Sequence, residues 1–280
     1  MNAKLWGLFG EPFLDLSEWI DTGCFGALDR EITRGLAQVE TRGTGATLKW
    51  MGVVAPWMRD DGRRDAMDAI RAMSSEDYRD FIALGDDPRA ADPARRDAID
   101  FGDETDRPFT RAQERLLEYR HGVYFPWRFS YHFIENERWE DKHSGEGKTF
   151  SEEALAHFPN TCDFVRALPF TEIGRCVLFG VGPHDHAPLH RDSEPGSSLE
   201  VAQSINFAPR PGKRFYLQNS PESEALVIDR PVYWFNDMDY HGVLADPFFR
   251  YSVRVDGVFE PAFVRDVERR TRARASRRGG

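Results

Sequence analysis

The sequence predicts an α+β chain, with a helix-patterned amino-terminal part ahead of an antiparallel β-sandwich or barrel. Three observations carry this. Apolar residues recur at helical spacing up to about residue 175. The period then drops to two. Short apolar runs beyond that point are separated by the turn-forming stretches PGSS, PRPG and NSPES.

The elements follow in order. Residues 1–58 carry Trp6, Phe9, Phe13, Trp19, Phe25, Trp50 and Trp57, which fits packed, mixed structure with a turn near Gly43–Gly45. Residues 59–118 are rich in Asp, Arg and Ala. Within them Met67, Ile70 and Met73 place a helix over Asp65–Met73, and Leu116, Leu117 and His121 place another over Arg111–Arg120. Pro88 and Pro93 break the stretch between. This region is expected to be a charged helical insert, either a surface excursion or a lid. A helix is expected from Thr149, where TFSE resembles a capping box with Glu152 three residues on. Pro159 and Pro169 bracket a second short helix. From Arg175, the runs RCVLFGVG, LEVAQSINFA, KRFYLQN, EALVID, PVYWFN and RYSVRVDGV read as strands. The expected organisation is a mixed region over 1–157, a β core over 158–264 and a disordered basic tail over 265–280.

Charge and composition narrow the function classes. The formal net charge is −10, and the tail from Arg265 carries seven Arg against Asp266 and Glu268, a net of +5 that leaves −15 elsewhere. An acidic body argues against general binding to nucleic acid or anionic membrane. The three cysteines, Cys24, Cys162 and Cys176, are odd in number and far apart, which points to a reducing, cytoplasmic setting. The first residues have an apolar run broken by Gly7, Glu11 and Asp15, unlike a signal peptide. No stretch approaches the ~18–20 apolar residues of a membrane span. The sequence carries no signal of oligomeric state.

The chemistry concentrates in HDHAPLHRDSE. His190 and Asp192 form a His-x-Asp pair, and on an extended segment residues i and i+2 point the same way. His241 follows in WFNDMDYHGV, after 48 intervening residues, enough for about four to five strands to travel round a barrel. Two His and one carboxylate are the facial triad of non-haem Fe(II) oxygenases, which leaves room for a bidentate cosubstrate and O2. His184 and His186 compete as ligands. Arg250 stands nine residues after His241, with Ser252 on the same strand face. An Arg fork beside a hydroxyl suits a carboxylate, so 2-oxoglutarate anchored on Arg250 and Ser252 is the expected cosubstrate. Arg254, Arg175 and Arg214 are alternative anchors.

At these residues the chain resembles the aspartyl/asparaginyl β-hydroxylase group of Fe(II)/2-oxoglutarate dioxygenases, which includes bacterial proline cis-hydroxylases. The resemblance lies in FPNTCDFVRALPFTEIGR, APLHRDSE, VYWFNDMDYHGV and RYSVRVDGVFEPAFVRDVE, about 40% of the chain. It implies a double-stranded β-helix (jelly-roll, cupin-like) core with flanking helices. It also implies His190, Asp192 and His241 on iron, and Arg250 on 2-oxoglutarate. The group's Arg-x-His pattern is replaced here by Val201 and Gln203, so Gln203, Ser204 or Asn206 are expected as neutral donors to the cosubstrate. The implied reaction is hydroxylation of an amino acid, free or in a peptide-like substrate, with Fe(II), 2-oxoglutarate and O2. Arg254, Arg214, Arg191 and Trp234 are candidates to touch that substrate. The alternatives are the same chemistry on a natural product or nucleic acid, a non-catalytic metal-binding β-barrel sensor, and a zinc protein.

Overall fold

The period-two region folds into two antiparallel sheets, and the larger one recruits strands from outside it. The computed structural model describes residues 5–39, 41, 53–54, 66–86, 96, 109–124, 129–134, 142–192 and 201–278. The strands are β1 (Phe13–Asp15), β2 (Val53–Val54), β3 (Val123–Tyr124), β4 (Phe129–His132), β5 (Phe170–Val181), β6 (Ala187–His190), β7 (Ser204–Phe207), β8 (Phe215–Gln218), β9 (Leu226–Ile228), β10 (Val232–Phe235), β11 (Tyr240–Val243) and β12 (Arg250–Phe259). The larger sheet runs β1-β10-β7-β12-β5-β4, the smaller β6-β11-β8-β9, and β2 pairs with β3.

Alternation along the strands assigns each face of the larger sheet. Tyr251, Val253 and Val255 of β12 join Ile205 and Phe207 of β7, and Val232 and Trp234 of β10, in the main apolar core. That core also takes Phe25, Leu28 and Ile32 from the helix Phe25–Leu36, Ala154 from Glu152–His157, and Cys162 and Val165 from Pro159–Arg166. The opposite face meets the smaller sheet through two small clusters. Tyr233 and Phe235 pack with Leu217 and Ile228, and Val181 packs with Ala187 and Val243. On β12 this second face carries Arg250, Ser252, Arg254 and Asp256, all buried. Polar residues therefore line the space between the sheets, and apolar ones face the helices.

Several expectations change. The boundary at 157/158 does not divide the core, because β1 pairs with β10, β4 pairs with β5, and the helix Phe25–Leu36 packs into the main cluster. The tail expected to be disordered is the helix Pro261–Arg278. Phe263 and Val267 are buried in the main core, Thr271 lies on the same stripe, and Asp266 accepts a hydrogen bond from Trp19 Nε1 at 2.9 Å. Glu18 pairs with Arg270 and Arg274, so much of the basic charge is matched. The capping residue near 149 is Ser151, whose hydroxyl accepts from Ala154 N at 3.0 Å, because Phe150 is still extended and bridged to Ile134. Of LEVAQSINFA, residues 201–208 are described, and among these Ser204–Phe207 is strand.

The charged insert has a core of its own. Helices Ala66–Arg71, Ser75–Ala83 and Arg111–His121 bury Met67, Ile70, Tyr78, Phe81 and Leu117 together. A capping box of Thr110 and Gln113 starts the third helix, and Gly122, at φ 61°, ends it. The turn near Gly43–Gly45 and most of the Pro88–Pro93 stretch lie outside the described residues.

Candidate metal centre

His190 ends β6, and His241 sits directly opposite it on β11. Asp192 is two residues beyond His190, and its main-chain N–H donates to the Asp237 carbonyl at 3.1 Å, tying the two loops together. One ligand atom from each of His190, Asp192 and His241 lies within 4.8 Å of the others. Asp192 Oδ1 is 3.6 Å from His190 Nε2 and 3.3 Å from His241 Nε2, and the imidazole centroids are 4.4 Å apart. Both rings are buried, while the Asp192 side chain keeps 19% of its surface open. His184 and His186 are exposed and stand outside this group.

The surroundings fix the orientation of the ligands. His241 Nδ1 lies 2.9 Å from the Asp239 carbonyl, which can only accept, so Nδ1 carries the proton and the Nε2 lone pair faces the centre. Phe215 stacks on the His241 ring at 5.5 Å, and Phe235 meets it edge-on at 4.9 Å. From β12, Arg254 Nη1 donates to Asp192 Oδ2 at 2.5 Å and its Nε donates to Asp256 Oδ1 at 2.9 Å. Burial opposes ionisation of Asp192, but the Arg254 guanidinium that donates to it helps to hold its carboxyl well below the usual carboxylate range. Burial also opposes the charge on Arg254, and Asp256, Asp192 and Asp237 more than offset it, raising its pKa. Asp256 is gripped in turn by Arg175, at 2.7 Å from Nε and 2.6 Å from Nη2.

The donor set suits a divalent metal of the iron type. Two imidazoles and one carboxylate are the donor set of non-haem iron, fewer than the four ligands of structural zinc, though catalytic zinc also takes three plus a water. Oδ2 of Asp192 is held by Arg254, which leaves Oδ1 for the centre. Arg254 Nη2 is buried and has no hydrogen-bond partner among the described residues, so a cation donor stands ready beside the metal ligands for an anionic acceptor.

The expected anchor is placed differently. Arg250 donates through Nη1 to the Leu244 carbonyl and Asp246, and through Nη2 to the carbonyls of Gly182 and Asp185, at 2.8–3.0 Å. Its fork clamps the loops that follow β5 and β11 and does not stand open for a carboxylate. Lys213, just ahead of β8, reaches Ser252 instead. Its ammonium donates to Ser252 Oγ at 2.6 Å and to the Phe179 carbonyl at 3.3 Å. No carboxylate lies within ion-pair reach of it among the described residues. Burial and the neighbouring Arg250 charge bring its pKa down to about 7.

The other candidates divide. Ser252 and Asn206 lie on the inner wall, with Asn206 opposite Arg254 in register. Gln203 is not on that wall: its Oε1 accepts from Phe259 N at 2.5 Å. Trp234 points to the main core, donating to the Ala202 carbonyl at 2.9 Å and packing edge-on against Phe259. Arg214 is half exposed and paired with Asp246. Arg191 lies over the Tyr240 ring at 3.8 Å. From sequence alone Lys213 carries no functional mark, because a lysine beginning a strand reads as solvated. The clue was its place inside a period-two run that also contains Phe215 and Leu217.

No protein-family model matches the chain, and no curated protein matches it. Among solved structures it is similar to an oxidoreductase of the 2OG-Fe(II) oxygenase family from Burkholderia pseudomallei, at 13% identity over 46% of this chain and 66% of that one, with a TM-score of 0.31. It is similar to a Pseudomonas putida prolyl-4-hydroxylase at 12% identity over 46% of this chain and 70% of that one, with a TM-score of 0.27. A Trichoplax adhaerens prolyl hydroxylase, in complex with a hypoxia inducible factor oxygen degradation domain peptide fragment, is 15% identical over 49% of this chain and 66% of that one, with a TM-score of 0.28. These likenesses are distant, and the residues themselves carry the functional reading.

Proposed function

We propose that this chain is a non-haem Fe(II)- and 2-oxoglutarate-dependent oxygenase with a double-stranded β-helix core, hydroxylating an unactivated C–H of an amino acid or of a residue in a peptide-like substrate. One observation carries the reading: the face of β12 that carries Arg254, the partner of Asp192, also carries Ser252, which accepts from the partly buried ammonium of Lys213, and Lys213 has no counter-ion among the described residues. A buried charge without a partner is costly, so an anion is the natural occupant beside it. A dicarboxylate with one end near Arg254 and the other on Lys213 and Ser252 satisfies both cations. Lys213 thus takes the anchoring role expected of Arg250, and Arg250 braces the loops around the cavity.

Fe(II) held by His190, Asp192 and His241 would supply, with 2-oxoglutarate and O2, the oxidation of a C–H bond, giving succinate and CO2. The chain's own residues do the rest. Arg254 keeps Asp192 ionised and turns Oδ1 toward the histidines. The Asp239 carbonyl keeps the His241 lone pair on the metal side. The aromatic rings of Phe215 and Phe235 shield that ring from water. The amino-acid substrate class rests on the family resemblance. The matched charges of the tail helix count against a nucleic-acid substrate.

The test is anaerobic titration with Fe(II) or Mn(II), then 2-oxoglutarate, followed by succinate release with candidate amino acids and peptides. Asp192→Ala should abolish metal binding and turnover while leaving the fold intact. Zinc bound in preference to iron after anaerobic purification, with no cosubstrate binding, would refute the oxygenase reading. Succinate release that stays at background across amino acids and peptides would move the substrate to a natural product.

A further inference from the structure

Asp239 faces two ways. Its main-chain carbonyl receives His241 Nδ1 at 2.9 Å, while its carboxylate receives the main-chain N–H groups of Trp6 at 2.8 Å and Gly7 at 2.9 Å. Asn236 Nδ2 donates to the Gly7 carbonyl at 3.1 Å, and the Asp239 N–H donates to the Asn236 carbonyl at 3.0 Å. Residues 5–11 therefore form a tight hairpin, closed by the Leu8–Glu11 bridge, that docks on the loop before β11. The hairpin needs Gly7 at φ 57°, where a Cβ would also strike the Glu11 carbonyl. Asp239 is buried, and its two hydrogen-bond donors are main-chain amides more than 230 residues away in sequence.

We propose that Asp239 and the hairpin of residues 5–11 form a latch that positions His241, so that the amino-terminal segment sets the metal affinity of the centre. The proposal builds on the metal reading above. Two amides hold the carboxylate, and the peptide that follows it cannot rotate. Its carbonyl stays on Nδ1, and His241 keeps its lone pair on Nε2. Without the latch the carbonyl swings, both tautomers fill, and part of the population turns an N–H toward the metal. Asp239 is a positioning residue, since it touches neither metal nor substrate.

Trp6→Pro deletes one latch N–H at a residue whose side chain is 61% exposed, and Trp6→Ala keeps that N–H as its control. Asp239→Asn removes one acceptor position with little change of shape. Long-range 1H–15N NMR of the metal-free proteins reads the His241 tautomer, and Co(II) titration reads affinity. In the wild type and Trp6→Ala, His241 should be the Nδ1–H tautomer. In Trp6→Pro and Asp239→Asn the signal should become a mixture, with Co(II) affinity down about tenfold or more, the usual loss when an outer partner of a metal ligand is removed. An unmoved tautomer in both variants would overturn the latch whatever the metal does. A moved tautomer in a protein whose wild type binds no Co(II) would support the latch and sink the metal reading.

Discussion

The two faces of β12 are equally buried and chemically opposite. Tyr251, Val253 and Val255 lie in an apolar cluster against helices, while Arg250, Ser252, Arg254 and Asp256 look into the space between the sheets. A strand buried on both sides usually reads as one continuous apolar run. Here alternation persists although neither face meets water, so the inner face was not shaped to stabilise the fold. The outer face contributes by area removed from water. The inner face is tolerated through pairing: its buried charges are matched, whereas the partly buried Lys213 beside Ser252 has no counter-ion among the described residues. The difference teaches where to look for a ligand, namely where pairing stops.

The largest expected stability effect comes from breaking a completed pair on the inner face. Asp256→Ala leaves Arg175 buried without the two contacts at 2.6–2.7 Å, and it removes the partner of Arg254 Nε. A loss of about 3–5 kcal/mol is expected in urea denaturation, the range for one partner taken from a buried ion pair. Val255→Ala, its outward neighbour, should lose about 2 kcal/mol for two buried methyl groups and the cavity they leave. If Asp256→Ala cost less than Val255→Ala, the inner charges would be better solvated than their burial implies.

Lys213→Met should act in the opposite sense. It replaces a partly buried ammonium that has no counter-ion among the described residues with an apolar chain of similar length, so the ligand-free protein should gain stability. The apparent KM for 2-oxoglutarate should meanwhile rise at least tenfold, which is ~1.4 kcal/mol. Arg250→Lys should instead loosen the loops, lowering stability more than it alters KM. A pH series sharpens this. The folded pKa of Lys213, about 7, lies below the ordinary lysine value of 10.5, so between these the unfolded chain binds the extra proton. Stability therefore rises with pH across that window, and the destabilisation is fully present below about pH 7. The advantage of Lys213→Met should be largest near pH 6.5 and shrink toward pH 10. Cosubstrate affinity of the wild type should weaken over the same climb, as the ammonium is lost. A flat difference between the two proteins would place Lys213 in water.

The contrast between the faces also explains what was legible in the sequence. The His-x-Asp pair and the distal histidine were readable because their chemistry is rare and same-side spacing on a strand is simple geometry. The outer face of β12 was readable as alternation. The role of Arg250 was not, since its partners are carbonyls of residues 182, 185 and 244, and carbonyls leave no mark in a sequence. Strands β1 and β4 are three and four residues long and lie far from the period-two region, so nothing local announces them. The tail misled through composition. Phe263, Val267 and Thr271, spaced by four, were a readable stripe beneath the arginines.

The smallest expected effect comes from the surface, and it bounds the comparison from below. Glu18 pairs with Arg274 and Arg270, but its side chain is 48% exposed and theirs are 46% and 47%. Exposed pairs of long side chains are screened by salt and must give up rotamer freedom, so each is worth about 0.2–1 kcal/mol. Glu18→Gln keeps the shape and removes the charge. The tail helix should stay docked, because Phe263 and Val267 remain buried and Trp19 still donates to Asp266. At roughly 2–4 °C per kcal/mol for a domain of this class, Tm should fall by no more than a few degrees. The shift should fade in high salt, whereas that of Asp256→Ala should persist, since its partners are shielded from ions. A Glu18→Gln loss that matched Asp256→Ala and ignored salt would mean that exposure does not rank the charges of this molecule. Pairing on the inner face would then be no guide to where its ligand binds.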